Sequence, residues 1–201
     1  SAIDTEGVAI DNLPQDTPVL DSLIAGTYTL IATDSNGCSN TQIVILTQNE
    51  ELTASETHSN YTDEGVSCFG ENDGSISITP DGGTENYFYQ WSAVDTEGVA
   101  IENLPQDTPV LDSLIAGTYS VLVTDDNGCE FPIVIEMTQP EEGVEIQETH
   151  SNYNDEGVSC FGENDGFINV VVTGGSGGYE YDWSAIDTEG VAIDNLPQDT
   201  P

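Results

Sequence analysis

The sequence predicts an all-β protein made of tandem sandwich repeats, and three observations carry that prediction. The first is self-similarity. The stretch SAIDTEGVAIDNLPQDTP stands at Ser1–Pro18 and again at Ser184–Pro201, and a copy changed only at Val94 and Glu102 stands at Ser92–Pro109. A second marker keeps the same spacing: residues 56–74 return as 148–166 with Thr62 replaced by Asn154. The repeats are therefore 91 and 92 residues apart, close to the roughly 100 residues of one small immunoglobulin-like sandwich. The second observation is alternation of polar and apolar residues with a period of two and no helical period. The third is the regular punctuation of these short runs by Gly, Asn, Asp and Pro.

The elements of one unit follow in order. A first strand is expected near Leu52–Tyr61, ending in the acidic turn Thr62–Gly65. After Cys68–Gly74 comes Ser75–Thr79, where Ile76 and Ile78 share one face. The next strand places Tyr87, Tyr89 and Trp91 on one face. Its copy keeps Tyr179, Tyr181 and Trp183 but puts Glu180 and Asp182 between them, which marks the aromatic face as the buried one. Val99–Ile101 reads as a short edge strand stopped by Pro105. In the strand that follows, Tyr119, Val121 and Val123 alternate with Ser120, Leu122 and Thr124. Tyr119 has the position of a tyrosine corner. Asn127-Gly128 suits a tight hairpin turn with positive φ at both residues, returning the chain along Ile133–Met137.

By this division residues 1–48 are the C-terminal part of one repeat, 49–140 a complete sandwich, and 141–201 the N-terminal part of a third. The joints Thr47–Glu50 and Thr138–Glu141 are short, which favours stiff neighbours over free beads. Half a sandwich cannot bury its own sheet face, so the array is expected to continue in both directions.

Charge restricts the partners. The chain has 38 Asp and Glu and no Lys or Arg, for a formal net charge of −38. Nucleic acid and anionic membrane surfaces are excluded on electrostatic grounds, and no apolar run is long enough to insert in a bilayer. Such a surface repels itself, so compactness should depend on salt or divalent ions.

Paired carboxylates are too common here to mark an acid–base pair. His58 and His150 are copies of one residue with no Ser or Cys arranged as a triad. An enzyme is not expected and no catalytic residue is assigned. No cofactor is required. The acidic turns do offer hard oxygens to Ca²⁺, from Asp63, Glu71, Asp73, Asp125 and Asn127, although none follows the twelve-residue EF-hand pattern; solvated turns are the alternative.

Together the motifs Cys68-x-Gly70-x-x-Asp73-Gly74-x-Ile76, Gly82-Gly83, Tyr87-x-Tyr89-x-Trp91-Ser92, Gly117-Thr118-Tyr119 and Asp125-x-Asn127-Gly128-Cys129 resemble the SprB-type repeat of the giant gliding adhesins of Bacteroidetes. One full and two partial matches span nearly the whole chain. The resemblance implies immunoglobulin-like repeats in an extracellular, outer-membrane-associated protein exported by a type IX system. It implies as partners the neighbouring repeats, the gliding or secretion machinery of the cell surface, and an external surface or polysaccharide. The resulting expectation is a structural stalk that transmits force for attachment and gliding, with a Ca²⁺- or glycan-binding module or a surface-filament subunit as alternatives.

The extracellular setting favours disulfides. Cys68 with Cys129 is the preferred pair, leaving Cys38 and Cys160 to partners beyond this segment. In simple immunoglobulin order, however, those two turns fall at opposite ends of the sandwich, and the bonds would instead staple successive repeats or the thiols stay free. Asp21-Ser22-Leu23 and Asp112-Ser113-Leu114 match the O-glycosylation pattern of Bacteroidetes, making Ser22 and Ser113 candidate acceptors; a plain turn is the alternative.

Overall fold

The computed structural model describes residues 1–193 and Leu196. Eleven strands are described: β1 (Ala2–Asp4), β2 (Gly26–Thr33), β3 (Ser39–Leu46), β4 (Thr53–His58), β5 (Gly74–Asp81), β6 (Phe88–Asp95), β7 (Val110–Leu114), β8 (Gly117–Thr124), β9 (Glu130–Met137), β10 (Glu145–His150) and β11 (Ile168–Thr173). All strand pairs are antiparallel.

The middle unit is a two-layer sandwich, with β4-β5-β7 forming one sheet and β6-β8-β9 the other. In immunoglobulin terms the layers are A-B-E and C-F-G. Their facing residues form one core, which includes Ile76, Ile78, Trp91, Leu111, Tyr119, Val121, Val123, Ile135 and Met137. The alternation read from the sequence is the burial pattern observed: Tyr89 and Trp91 are buried and Phe88 and Gln90 exposed.

Register shows how the chain passes through this unit. Thr53 pairs with Asp81 and Thr124 with Glu130 at one end. At the other end His58 pairs with Ile76 and Gly117 with Met137. The chain therefore enters the sandwich at one end and leaves at the opposite end. The eight-residue β9 spans about 26 Å of that distance.

Two glycines permit the close packing that this path requires. A Cβ on Gly82 would lie 2.1 Å from the Glu51 carbonyl oxygen, where the entering strand crosses the turn before β6. One on Gly117 would lie 2.4 Å from the Val94 carbonyl oxygen.

Three local expectations are corrected. Val99–Ile101 makes only a bridge, Val94 with Ala100, and the sheet edge is instead Val110–Leu114. The first strand stops at His58, and Tyr61 to Glu64 closes a separate tight turn with positive φ at Thr62 and Asp63. At the β8–β9 hairpin only Gly128 of the Asn-Gly pair has positive φ, because the loop is longer than two residues and needs a single left-handed position.

On either side lie partial units. Residues 1–46 form the sheet β1-β2-β3, equivalent to C-F-G, and β10-β11 are equivalent to A-B. Their inward-type side chains are open: Leu30, Val44, Val144, Ile146 and Ile168 are all exposed.

Candidate functional site

The most repeated chemical device in the chain is an aspartate that builds a hairpin. At Asp4, Asp34, Asp95, Asp125 and Asp187, Oδ1 accepts the backbone N–H groups two and four residues onward, at 2.8 to 3.0 Å. The main chain closes the same turn, from the glycine N–H at position +3 to the Asp carbonyl and from the Asp N–H to the carbonyl at +4. Each of those glycines, Gly7, Gly37, Gly98, Gly128 and Gly190, has positive φ. A short side-chain acceptor at the first position and a residue free of Cβ strain at the fourth are what such a turn needs. Part of the acidity thus has a structural use, and the Asp-Thr-Glu-Gly stretches at 4–7, 95–98 and 187–190 are three of these hairpins.

Asp125 makes a further link. It is buried, and its Oδ2 accepts the Thr84 N–H at 2.9 Å, tying the β8–β9 turn to the turn between β5 and β6. The Cys129 N–H above all, with those of Thr84 and Asn127, holds the Asp125 carboxyl below the usual carboxylate range. Its negative charge pushes the neighbouring Cys129 thiol up, toward the less nucleophilic protonated form. Asn127 Nδ2 and Asn49 Nδ2 both donate to Thr84 Oγ1, so the first joint is fastened to this end. At the exit end, Val66 N–H donates to the Thr138 carbonyl at 3.0 Å, and Gly70 N–H donates to Gln139 Oε1 at 2.8 Å.

The aromatic face is buried at Tyr89 and Trp91 and partly buried at Tyr87. Trp91 Nε1 donates to the Thr108 carbonyl at 2.8 Å, and Tyr119 donates to the Ile115 carbonyl at 3.0 Å, the tyrosine corner that its position predicts. Tyr28 repeats that corner with the Ile24 carbonyl. Burial raises the phenol pKa of Tyr119 and of Tyr89. The free edge of β6 is capped at Trp91 by the Gln106 side chain, whose Oε1 accepts the Trp91 N–H and whose Nε2 donates to the Trp91 carbonyl as a neighbouring strand would, and on either side by the Asp107 N–H donating to the Tyr89 carbonyl and the Ile101 N–H to the Ala93 carbonyl.

The SprB repeat family model matches residues 61–96 and 156–188. Two segments of the chain are thus similar to the SprB repeat. No curated protein and no solved structure matches it. The first matched segment runs from the turn at Tyr61 through β5 to the end of β6, taking in Cys68, Asp73, Gly82 and Trp91. SprB repeats are a structural repeat family of cell-surface proteins.

Within the middle unit the preferred cysteine pair is not brought together. Cys68 lies in the loop between β4 and β5, beside the end of β9, whereas Cys129 precedes the start of β9. A strand of about 26 Å separates those ends, far more than a disulfide can bridge. All four cysteines are free and exposed.

The oxygens proposed for Ca²⁺ divide in the same way. Asp63, Glu71 and Asp73 belong to turns at the exit end and Asp125 and Asn127 to a turn at the entry end. Asp73 Oδ1 accepts the Ser67 N–H at 3.0 Å, and the Ser67 hydroxyl and N–H hold its carboxyl below the usual range. Asp165 has the same relation to Ser159. Among the described residues no three His, Cys, Asp or Glu side chains form a metal-holding group.

Ser22 and Ser113 are both exposed with positive φ, and Ser113 is the extra residue of a bulge in β7, between the register pairs Gly74–Leu114 and Ser75–Asp112. Their hydroxyls are accessible. Thr84, Gln106 and Thr138 are the functional residues that sequence reading missed. For the aspartate hairpins a signal was present, the spacing Asp-x-x-Gly recurring five times.

Proposed function

We propose that this chain is a stalk segment of a long, repetitive cell-surface adhesin, exported by a type IX system, that transmits pulling force during surface attachment and gliding. The observation that supports the reading is the passage of the chain through the sandwich from one end to the other. Repeats joined in that way add length. Tension applied at Thr53 and Met137 then loads the strand pairs in shear, along the strands, rather than peeling them apart one hydrogen bond at a time. The backbone link from Val66 to Thr138 fastens the A–B loop to the exit strand and shares that load.

The partners on this reading are the repeats on either side, the envelope machinery that moves the adhesin, and a substratum or polysaccharide bound elsewhere on the molecule. The test is genetic: in-frame removal of the repeats from the parent protein should abolish surface attachment or gliding while the remainder is still exported. Unchanged attachment and motility in cells displaying the shortened protein would refute the proposal.

A further inference from the structure

The cysteines form two series, each recurring once per repeat. Cys68 and Cys160 lie in the A–B loop at the exit end of a unit, and Cys38 and Cys129 in the F–G turn at the entry end. Within one unit a strand's length keeps them apart. Across a joint the order reverses, because the exit end of one unit meets the entry end of the next.

The joint after the middle unit holds those ends close. Cys68 stands between two anchors, the Val66 N–H on the Thr138 carbonyl and the Gly70 N–H on Gln139 Oε1, so its loop is tied to the first residues of the joint. Three residues later the chain is tied to the next unit, where the Gly175 N–H donates to the Glu142 carbonyl at 2.8 Å. Three residues span at most about 10–11 Å. Thr62 and Glu64 of the A–B loop accordingly share one groove with Gly174, Gly175 and Ser176, the B–C turn of the next unit.

Ser176 is the counterpart of Thr84, which shows what stands beside that turn in a complete unit. Asp125 Oδ2 accepts the Thr84 N–H at 2.9 Å, and Asn127 Nδ2 donates to Thr84 Oγ1 at 2.7 Å. Asp125 Oδ1 accepts the Cys129 N–H at 2.8 Å, so one carboxylate bridges the B–C turn and the cysteine. The F–G cysteine of a following unit therefore comes to the groove whose other wall is the loop of Cys68.

We propose that the A–B cysteine of each unit forms a disulfide with the F–G cysteine of the unit that follows. Cys68 is then bonded across its joint to the next counterpart of Cys129, and Cys129 itself to the A–B cysteine of the unit before. This pairing requires the continuing array of the stalk reading. An extracellular setting permits it. The two thiols give up two protons and two electrons to a disulfide donor, such as glutathione disulfide or an envelope thiol oxidoreductase, which is released as two thiols while one S–S bond forms. Successive bonds make a second covalent track along the array. Cys68 and Cys129 are 61 positions apart and the repeats 91 or 92, so a stapled unit pulled out completely extends to about two-thirds of its reduced length.

The test lengthens the chain after Pro201 by a second copy of residues 110–140, which completes the third sandwich. In a first version Cys38→Ser, Cys129→Ser and Cys160→Ser leave Cys68 and the added cysteine. Treated at micromolar concentration with glutathione disulfide, it should stay monomeric, lose two hydrogens in intact mass with no glutathione retained, and run faster on a non-reducing gel until reductant is added. A second version keeps Cys68 and Cys129 and has Ser at the other three positions; it should form no internal bond and carry only glutathione adducts. Trp91 fluorescence reports that the middle core is intact in both. A first version that stays dithiol, retains glutathione or links only between molecules overturns the proposal, as does a second version that closes an internal bond equally well. Attachment enters none of these outcomes, so the stalk reading stands or falls by its own deletion experiment.

Discussion

Tyr119→Phe removes one oxygen atom from the centre of the account. The Tyr119 ring is fully buried, and its hydroxyl donates at 3.0 Å to the Ile115 carbonyl, four residues back across the entry to β8. Phe fills the same space with the same ring, so no cavity term arises and the loss is the hydrogen bond together with partial desolvation of the stranded carbonyl. Such a deletion costs about 1–1.5 kcal/mol net. For a domain of this size that corresponds to a fall of about 5–10 °C in melting temperature. Near-UV circular dichroism and Trp fluorescence during heating report the middle core, since Trp91 is packed within it. Tyr28→Phe breaks the equivalent bond to Ile24 in a sheet whose face is open, and should leave the melting of the middle core unchanged when the chain is kept dilute. A Tyr119→Phe protein that melts within 2 °C of the parent would refute the reasoning that the corner holds the sandwich together.

Further outcomes follow from the turns and the close approaches. Gly82→Ala forces a Cβ to 2.1 Å from the Glu51 carbonyl oxygen at φ +71, and should cost at least about 2 kcal/mol by denaturant titration. Gly98→Ala, at φ +81 with open space around it, should cost only about 1–2 kcal/mol. Asp125 titrates lower in the folded protein than in the unfolded chain, so its contribution is complete above the ordinary carboxylate pKa of 3.8 and is lost as pH falls through its lower folded value. Asp125→Asn should therefore be less stable than the parent at pH 7 by urea titration, with the gap closing below pH 4. A gap that persists unchanged to pH 2 would contradict the ionised-acceptor reading.

Alternation made the sandwich legible. The Tyr-x-Tyr-x-Trp strand carries its own proof of orientation, because Glu180 and Asp182 occupy the positions that Phe88 and Gln90 hold in the other copy. Tyr119 was legible by position. Strand β7 was not, since Asp112 and the bulged Ser113 interrupt its alternation and its pairing comes from distant β5. The cysteine pairing required knowing which end of the sandwich each turn occupies, a property of topology that sequence spacing leaves open between two arrangements. The acidic turns were legible as turns rich in hard oxygens, but not that Asp73 and Asp125 accept backbone N–H groups, because those donors come from residues placed by the turn geometry and by the distant Thr84. Gln106 lay outside any periodic pattern. It acts by imitating a strand with a side chain, and no local rule marks such a residue.

Stretching single molecules of this chain from its two ends tests the central claim most directly. The stretch from Thr53 to Met137, extended at about 3.3–3.6 Å per residue and less the roughly 2.6 nm it already spans when folded, should be released in one high-force step of about 25–28 nm, the same with and without reductant. Gradual extension with no discrete step, or a step that shortens to a fraction of that length under oxidising conditions, would contradict a sheared sandwich whose cysteines stand at opposite ends.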